Sequence, residues 1–291
     1  MTKQTVYKLQ VRIDSNVDES LMDEFTSMIA MNLQRPVLQL SSNILELSAS
    51  TEEQQFIISS ISNLANSFLS QPIKVTIESY DDSDWESEWK KHIKPIEVGK
   101  KFLICPSWEF PPHNDQNRLV ITIDPGMAFG TGHHETTRLC LEWIDRFALA
   151  NREILSRISL LDVGTGSGIL AIASALVGFG SITAIDNDPE AISVARENAL
   201  KNNVYEKINF FVGEPSEING AFDVVIANIQ SNVLIEMAPL LTRKTVMRLV
   251  LSGILKEQEK SVRVAFETKQ SFSGVSLSQL GEWVLLDFAY V

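Results

Sequence analysis

The chain has 291 residues, of which 44% are hydrophobic and 21% charged, a composition that predicts a globular protein of two domains. Its net charge of −12 disfavours unspecific attraction to nucleic acid. Two cysteines are too few for a disulfide framework, and the sequence has neither a secretion signal nor about eighteen consecutive apolar residues, so we expect a cytoplasmic protein outside the membrane.

The first part of the chain, residues 1–79, alternates between the periodicities of strands and helices. In "VYKLQVRID" every second residue is apolar, which is typical of a half-buried strand. Apolar residues recur at helical spacing in "DESLMDEFTSMIAMNLQ" and again in "TEEQQFIISSISNLANSFL". Short apolar strands separate and follow these helices: "PVLQL", "NILELSA" and "IKVTIES". The order β-α-β-β-α-β predicts a ferredoxin-like α+β domain, with two helices on one face of an antiparallel sheet.

Residues 80–117 have a different composition and are predicted to connect two domains. Trp85 and Trp89 are four residues apart, so they lie on one face of a predicted helix that Ser83 and Glu86 could cap. A short strand then runs into a loop rich in proline. The tryptophans either anchor this linker helix to a neighbouring domain or line a groove between domains.

Residues 118–291 alternate between strands and helices in the manner of an α/β domain. "ISLLDVG" is a nearly continuous apolar run, as expected for a central parallel strand buried on both faces. Further strands are predicted at "SITAID", "INFFVG", "FDVVIAN", "VMRLVLSGIL" and "EWVLLDFAYV". This pattern predicts a doubly wound parallel sheet with a ligand at the carboxyl ends of its strands.

A glycine loop and two acidic residues in this domain predict a nucleoside cofactor. Gly164, Gly166 and Gly168 follow the first strand, and Asp186 ends the second, where a carboxylate can accept hydrogen bonds from both ribose hydroxyls. No basic residue flanks the loop to neutralise a polyphosphate, whereas Asp162 could orient a cationic amino group. S-adenosylmethionine suits such a site, because it is a nucleoside with a cationic amino group and no phosphate. A nicotinamide cofactor and a purely structural turn are the alternatives.

Two polar segments are expected near the methyl donor. Asn228 ends the strand "FDVVIAN" and can offer its side-chain carbonyl to an amine, which suggests N-methylation; alternatively, it only caps a turn. The stretch "FGTGHHETT" contains two glycines, two histidines and a glutamate, residue types that suit a metal site, a phosphate site or a proton carrier. The residues of this stretch do not distinguish these chemistries.

Several motifs together resemble the PrmA family, methyltransferases of the large-subunit ribosomal protein L11. The motifs are, in order, "DWESEWKKHIKPIEVGKKFLICPSW", "IDPGMAFGTGHHETTRLCLEWID", "LLDVGTGSGILAIAS", "AIDNDPEAI", "VVIANIQSNVL" and "LSGIL". The resemblance implies a class I S-adenosylmethionine-dependent methyltransferase domain, with Thr137, Gly164, Asp186 and Asn228 as cofactor contacts. It also implies that the segment containing Phe129 packs over the cofactor, and that the N-terminal domain recognises the ribosomal protein. A metal site becomes improbable, because adjacent histidines project differently and no third ligand is in view.

The chain departs from the family pattern on the side where the acceptor would enter. It reads HHETT at 133–137 where the family usually reads THPTT, and NIQSNVL at 228–234 where the family reads N-I-L-A-x-P-L. Methylation of another protein or of a small-molecule amine, or cofactor binding without turnover, are therefore alternatives to methylation of lysine or N-terminal amines of L11. The expected reaction is in-line attack by a neutral amine, with His134 as a candidate proton acceptor.

Overall fold

A computed structural model describes residues 6–13, 19–33, 35, 37–41, 43–68, 73–79, 94–109, 118–124, 132, 134–267 and 272–290. These residues divide into two compact units, one within Met1–Lys94 and one within Pro95–Asp124 and Gly130–Val291. The predicted helix with Trp85 and Trp89, and its capping residues Ser83 and Glu86, lie outside the described residues, as does Phe129. The predicted domain boundaries, 1–79, 80–117 and 118–291, stay a prediction.

The first unit has the predicted β-α-β-β-α-β order. Its elements are β1 (Val6–Ile13), α1 (Glu19–Leu33), β2 (Leu38–Ser41), β3 (Ile44–Ser50), α2 (Gln54–Phe68) and β4 (Ile73–Ser79). The sheet order is β2-β3-β1-β4, and every neighbouring pair is antiparallel. This topology confirms the expected ferredoxin-like sheet.

Strands β1 and β3 and both helices of the first unit bury apolar side chains in a shared core. Alternate residues of β1 are fully buried, and α2 contributes three buried residues one helical turn apart. Met22, Phe25 and Ile29 of α1 lie on one face of the helix and are fully buried. This unit therefore has a hydrophobic core of its own.

The second unit is built on a seven-stranded sheet. Its strands are β8 (Ser159–Val163), β9 (Ser181–Asp186), β10 (Ile208–Val212), β11 (Phe222–Asn228), β12 (Thr245–Leu255), β13 (Phe272–Leu280) and β14 (Trp283–Tyr290). Its helices are α3 (Glu135–Ala150), α4 (Ile169–Val177), α5 (Pro189–Lys201), α6 (Ser231–Lys244) and α7 (Glu259–Glu267). The strand order is β10-β9-β8-β11-β12-β14-β13. The doubly wound α/β architecture is confirmed.

Two strands at one side of this sheet differ from the prediction. The strands β8 to β12 are parallel, but β14 runs antiparallel to both of its neighbours. The edge strand β13 was not predicted, because small and polar residues dominate its sequence, "FSGVSLSQL". The parallel part of the sheet reverses its strand order at β8, so the carboxyl ends of β8 and β11 meet at its centre, where ligands bind in such folds.

A smaller sheet in the second unit is tied to helix α5. It consists of β5 (Ile96–Val98), β6 (Phe102–Cys105) and β7 (Leu119–Thr122); only β6 was predicted. Asn202 exchanges two hydrogen bonds with the backbone of Thr122, at 2.8 and 2.7 Å. Lys201 pairs with Asp124 at 2.8 Å. These contacts fix Thr122, and Asp124 at the start of the "DPGMAFGTG" segment, against the helix that follows Asp186.

Candidate functional site

The glycine loop connects β8 to α4 and lies against the end of β9. The backbone N–H groups of Gly164 and Thr165 both donate to the carbonyl of Ile185, at 2.9 and 3.0 Å. The three glycines of the loop, Gly164, Gly166 and Gly168, all have positive φ. The loop is therefore held by backbone hydrogen bonds at the carboxyl edge of the sheet, where we expected the cofactor.

Asp186 lies beside this loop, and its carboxylate accepts hydrogen bonds from two backbone N–H groups. Its Oδ2 accepts from the N–H of Gly166 at 3.0 Å, and its Oδ1 accepts from the N–H of Asp188 at 3.1 Å. An ionised carboxylate has about four acceptor positions, so two remain for other donors. The structure thus brings Gly166 and Asp186 together and leaves the carboxylate able to accept a pair of hydroxyl donors.

Asp162 is a fully buried carboxyl group at the end of β8. Its Oδ2 accepts from Thr165 Oγ1 at 2.6 Å and from the N–H of Ala171 at 3.2 Å, whereas its Oδ1 has no partner among the described residues. Burial, and to a lesser extent the nearby Asp186 carboxylate, raise the pKa of Asp162 to about 7, against the opposing effect of the two hydrogen bonds. A cation at Oδ1 would stabilise the ionised form.

Asn228 ends β11 and contacts the first turn of α3. Its Nδ2 donates to the hydroxyl of Thr137 at 3.4 Å, and Thr137 is fully buried. The side-chain oxygen, Oδ1, is buried and accepts no hydrogen bond from any residue that the structure describes. The contact with Thr137 orients the carboxamide so that its acceptor atom is left for a ligand.

His134 caps helix α3. Its Nδ1 accepts from the N–H of Thr136 at 3.3 Å and lies 2.8 Å from the Thr136 hydroxyl, and its ring packs edge-on against Trp283. Burial lowers the pKa of His134 to about 4, so the ring is neutral at physiological pH. Because Nδ1 accepts the capping bond, the ring proton is on Nε2. The structure thus gives His134 a capping role, and its catalytic role stays a prediction.

The motif "LSGIL" contributes residues that were not predicted as part of the site. Ser252 pairs in register with Asn228, is fully buried, and lies 3.4 Å from the carbonyl oxygens of Thr136 and Val284. The next residue, Gly253, lies against the backbone of Ile229. The motif was quoted for its family resemblance, but no local pattern in it indicates contact with a strand that ends more than twenty residues earlier.

Neither a metal site nor a membrane span is found in the described part of the chain. Its His, Cys, Asp and Glu side chains form no group of three that could hold a metal ion. No described helix combines the length and apolar character needed to cross a bilayer.

Comparisons with known proteins agree on one family. The model of the family "Ribosomal protein L11 methyltransferase (PrmA)" matches residues 11–290. A protein of that name from Pelobacter propionicus is 42% identical over 218 residues, which cover 74% of this chain and 69% of the relative. Another from Trichlorobacter lovleyi is 44% identical over 209 residues, covering 71% and 68%. The crystal structure of ribosomal protein L11 methylase from Lactobacillus delbrueckii subsp. bulgaricus matches with a TM-score of 0.60 and 29% identity, covering 68% of this chain and 99% of that one.

The capping role of His134 can be separated from a catalytic role by two substitutions. His134→Ala removes the side-chain acceptor and should lower the free energy of unfolding by about 1 kcal/mol, whereas His134→Asn, a good N-cap, should retain most of it. Urea unfolding measures the difference. If His134 is only a cap, His134→Asn also keeps methyl transfer near normal. A stable His134→Asn variant that has lost most of its activity would instead support the catalytic role.

Proposed function

The chain belongs to the ribosomal protein L11 methyltransferase (PrmA) family, and on that premise we propose that it transfers methyl groups from S-adenosylmethionine to lysine or N-terminal amines of ribosomal protein L11. It is a class I S-adenosylmethionine-dependent methyltransferase. The substrate follows from the names of its relatives. One observation carries the chemistry: the side-chain oxygen Oδ1 of Asn228 is buried and has no hydrogen-bond partner among the residues that the structure describes. The next residue, Ile229, has its side chain over Gly164 of the glycine loop.

The residues of the glycine loop and its surroundings fit S-adenosylmethionine. Asp186 would accept hydrogen bonds from the ribose hydroxyls, and Asp162 Oδ1 would face the amino group of the methionine end. When bound, this cofactor supplies a methyl group made electrophilic by its sulfonium. Because S-adenosylmethionine carries no phosphate, its binding requires no basic residue beside the glycine loop. Thr137, which holds the Asn228 carboxamide, would lie at the methionine end.

Asn228 is suited to orient an acceptor amine. Its Oδ1 would accept an N–H bond and so direct the nitrogen lone pair towards the methyl group. A free lysine, with a pKa of about 10.4, is neutral in only about one molecule in a few thousand at pH 7, so the site must favour deprotonation. Burial disfavours the ammonium ion, and a neutral carboxamide stabilises that ion much less than a carboxylate would. His134 is a weak base for this purpose, because burial lowers its pKa to about 4.

The first unit would recognise the protein substrate, as the family resemblance implies. It has its own hydrophobic core, separate from the core of the seven-stranded sheet. We place the activity in the cytoplasm, where ribosomal proteins are synthesised. The proposal includes no direct binding to nucleic acid, in keeping with the net charge of −12.

The affinity for S-adenosylmethionine should increase with pH because of Asp162. With a pKa of about 7, only a minority of Asp162 is ionised at pH 6. If the ionised form binds the amino group, affinity should be about eightfold weaker at pH 6 than at pH 7.5.

In the free enzyme the raised pKa of Asp162 has the opposite effect on stability: the free energy of unfolding should fall as pH rises from about 4 through 7. Calorimetric titration and unfolding curves measure the two trends.

Asp162→Asn is the control for this pH dependence. It cannot ionise, so both trends should flatten in the variant. A pH dependence of binding that is as steep in Asp162→Asn as in the original protein would remove Asp162 from the cofactor site.

Asn228→Ala tests the role of the carboxamide. Losing one acceptor, with some misalignment of the amine, should lower kcat about ten- to a hundredfold and change KM for L11 less. Single-turnover methyl transfer and thermal unfolding should be measured on the same preparation. A structural asparagine would instead give a lower melting temperature with normal turnover. Asn228→Asp is the matched variant: its negative charge should hold the amine as an ammonium ion and move the pH optimum upwards.

Removal of residues 1–79 tests recognition. Because the two units have separate cores, the shortened protein should still bind S-adenosylmethionine, yet methylate L11 at a small fraction of the original rate. Calorimetry and transfer of labelled methyl groups measure the two properties. Undiminished methylation of intact L11 would contradict the proposed role of the first unit.

A further inference from the structure

Ile229, the residue that follows Asn228, lies between two glycines from different parts of the chain. A Cβ atom built on Gly164 would lie 2.4 Å from Cγ2 of Ile229, so the isoleucine side chain covers the glycine loop. A Cβ atom built on Gly253 would lie 2.3 Å from the carbonyl oxygen of Ile229 and 2.9 Å from its carbonyl carbon. Both glycines also have positive φ, +67° and +80°, a conformation that other residues rarely adopt.

The backbone around Gly253 is held independently of Ile229. The parallel register of β11 and β12 ends at the pair Asn228 and Ser252, and the pairing of β12 with β14 shifts between Leu251 and Ile254. Gly253 therefore lies in an irregularity of β12, flanked by fully buried residues. Because these neighbours are packed in the core, a side chain at position 253 would displace Ile229 more readily than it would displace β12.

We propose that Gly253 is a positioning residue for methyl transfer, which acts by holding the backbone of Ile229 and, through it, the Asn228 carboxamide. This inference rests on the proposed function, in which Asn228 Oδ1 orients the acceptor amine. Gly164 limits the movement of Ile229 on the side of the glycine loop, and Gly253 limits it on the side of β12. The two glycines together set the separation between the cofactor loop and the acceptor-binding carboxamide.

The size of the clash predicts the size of the effect. A carbon and an oxygen that are not bonded stay more than 3 Å apart, so an alanine at position 253 requires a displacement of about 1 Å, and a misplacement of this size can cost about a hundredfold in rate. The displacement would affect the acceptor side first, because Gly164 and Thr165 keep their backbone hydrogen bonds to Ile185. We therefore expect turnover to fall more than cofactor affinity.

The test compares Gly253→Ala with Gly220→Ala in the full-length protein. Gly220 has a similar positive φ, +85°, but a Cβ atom there meets no described atom within 4 Å, so this variant introduces the same backbone strain without the clash. Gly253→Ala should lower single-turnover methyl transfer to L11 about ten- to a hundredfold, with less than about a threefold change in affinity for S-adenosylmethionine. Gly220→Ala should retain normal turnover. Equal turnover in the two folded variants would overturn the inference.

Combination with Asn228→Ala separates this inference from the proposed function. If Gly253 acts through the carboxamide, Gly253→Ala should cause little further loss in protein that already carries Asn228→Ala. A full, multiplicative loss in the double variant would overturn the positioning role. Normal turnover in Asn228→Ala alone would overturn the role proposed for the Asn228 carboxamide, and only a failure of the unaltered protein to methylate L11 would overturn the proposed function itself.

A second variant covers the case in which Gly253→Ala does not fold. Ile229→Ala removes the partly buried side chain that covers Gly164 and leaves the backbone unobstructed. It should lower turnover several-fold, again without a further effect in the Asn228→Ala protein. Unchanged turnover in Ile229→Ala would contradict the claim that this residue holds the carboxamide in place.

Discussion

Two buried oxygen atoms with no hydrogen-bond donor among the described residues determine what this site requires. They are Oδ1 of Asp162 and Oδ1 of Asn228, at the carboxyl ends of the neighbouring strands β8 and β11. A buried acceptor without a partner costs about 1–3 kcal/mol, and more when it is charged, so a fold retains such atoms where a ligand satisfies them. The first atom suits a cation and the second an N–H donor. A methyl donor with an amino group and an acceptor amine would meet both requirements.

Most of the surrounding structure holds these two atoms in place. The reversal of strand order at β8 puts the ends of β8 and β11 side by side. Thr165 and the backbone of Ala171 bind one oxygen of Asp162, and Thr137 binds the nitrogen of Asn228. In each group one oxygen is then without a partner in the described part of the chain. The closely packed core around Asp162 also removes it from water, and this burial raises its pKa against the opposing effect of its hydrogen bonds from Thr165 and Ala171.

The sequence predicted the features that depend on the residue pattern within a single strand or helix. Apolar runs and helical periodicity predicted most strands and helices. The glycine loop and Asp186 were predicted to bind one nucleoside cofactor, but the hydrogen bond between Gly166 and Asp186 was not predicted. Strand β13 was missed, because its alternation of small and polar residues resembles a loop. The cap formed by His134 was missed because histidine is not among the residues preferred at helix N-caps, although the contact itself is local. The contact of Gly253 with Ile229 was missed because it depends on tertiary packing, which no local pattern encodes. The contact between Thr137 and Asn228 joins residues 91 positions apart, and only family resemblance had grouped them.

Mass spectrometry of ribosomal protein L11 after incubation with the full-length protein and S-adenosylmethionine tests the central claim most directly. The account predicts that the mass of L11 rises in steps of one methyl group, and that fragmentation places the added methyl groups on lysine side chains or the N-terminal amine. An unchanged mass of L11, in a preparation shown by calorimetry to bind S-adenosylmethionine, would contradict it.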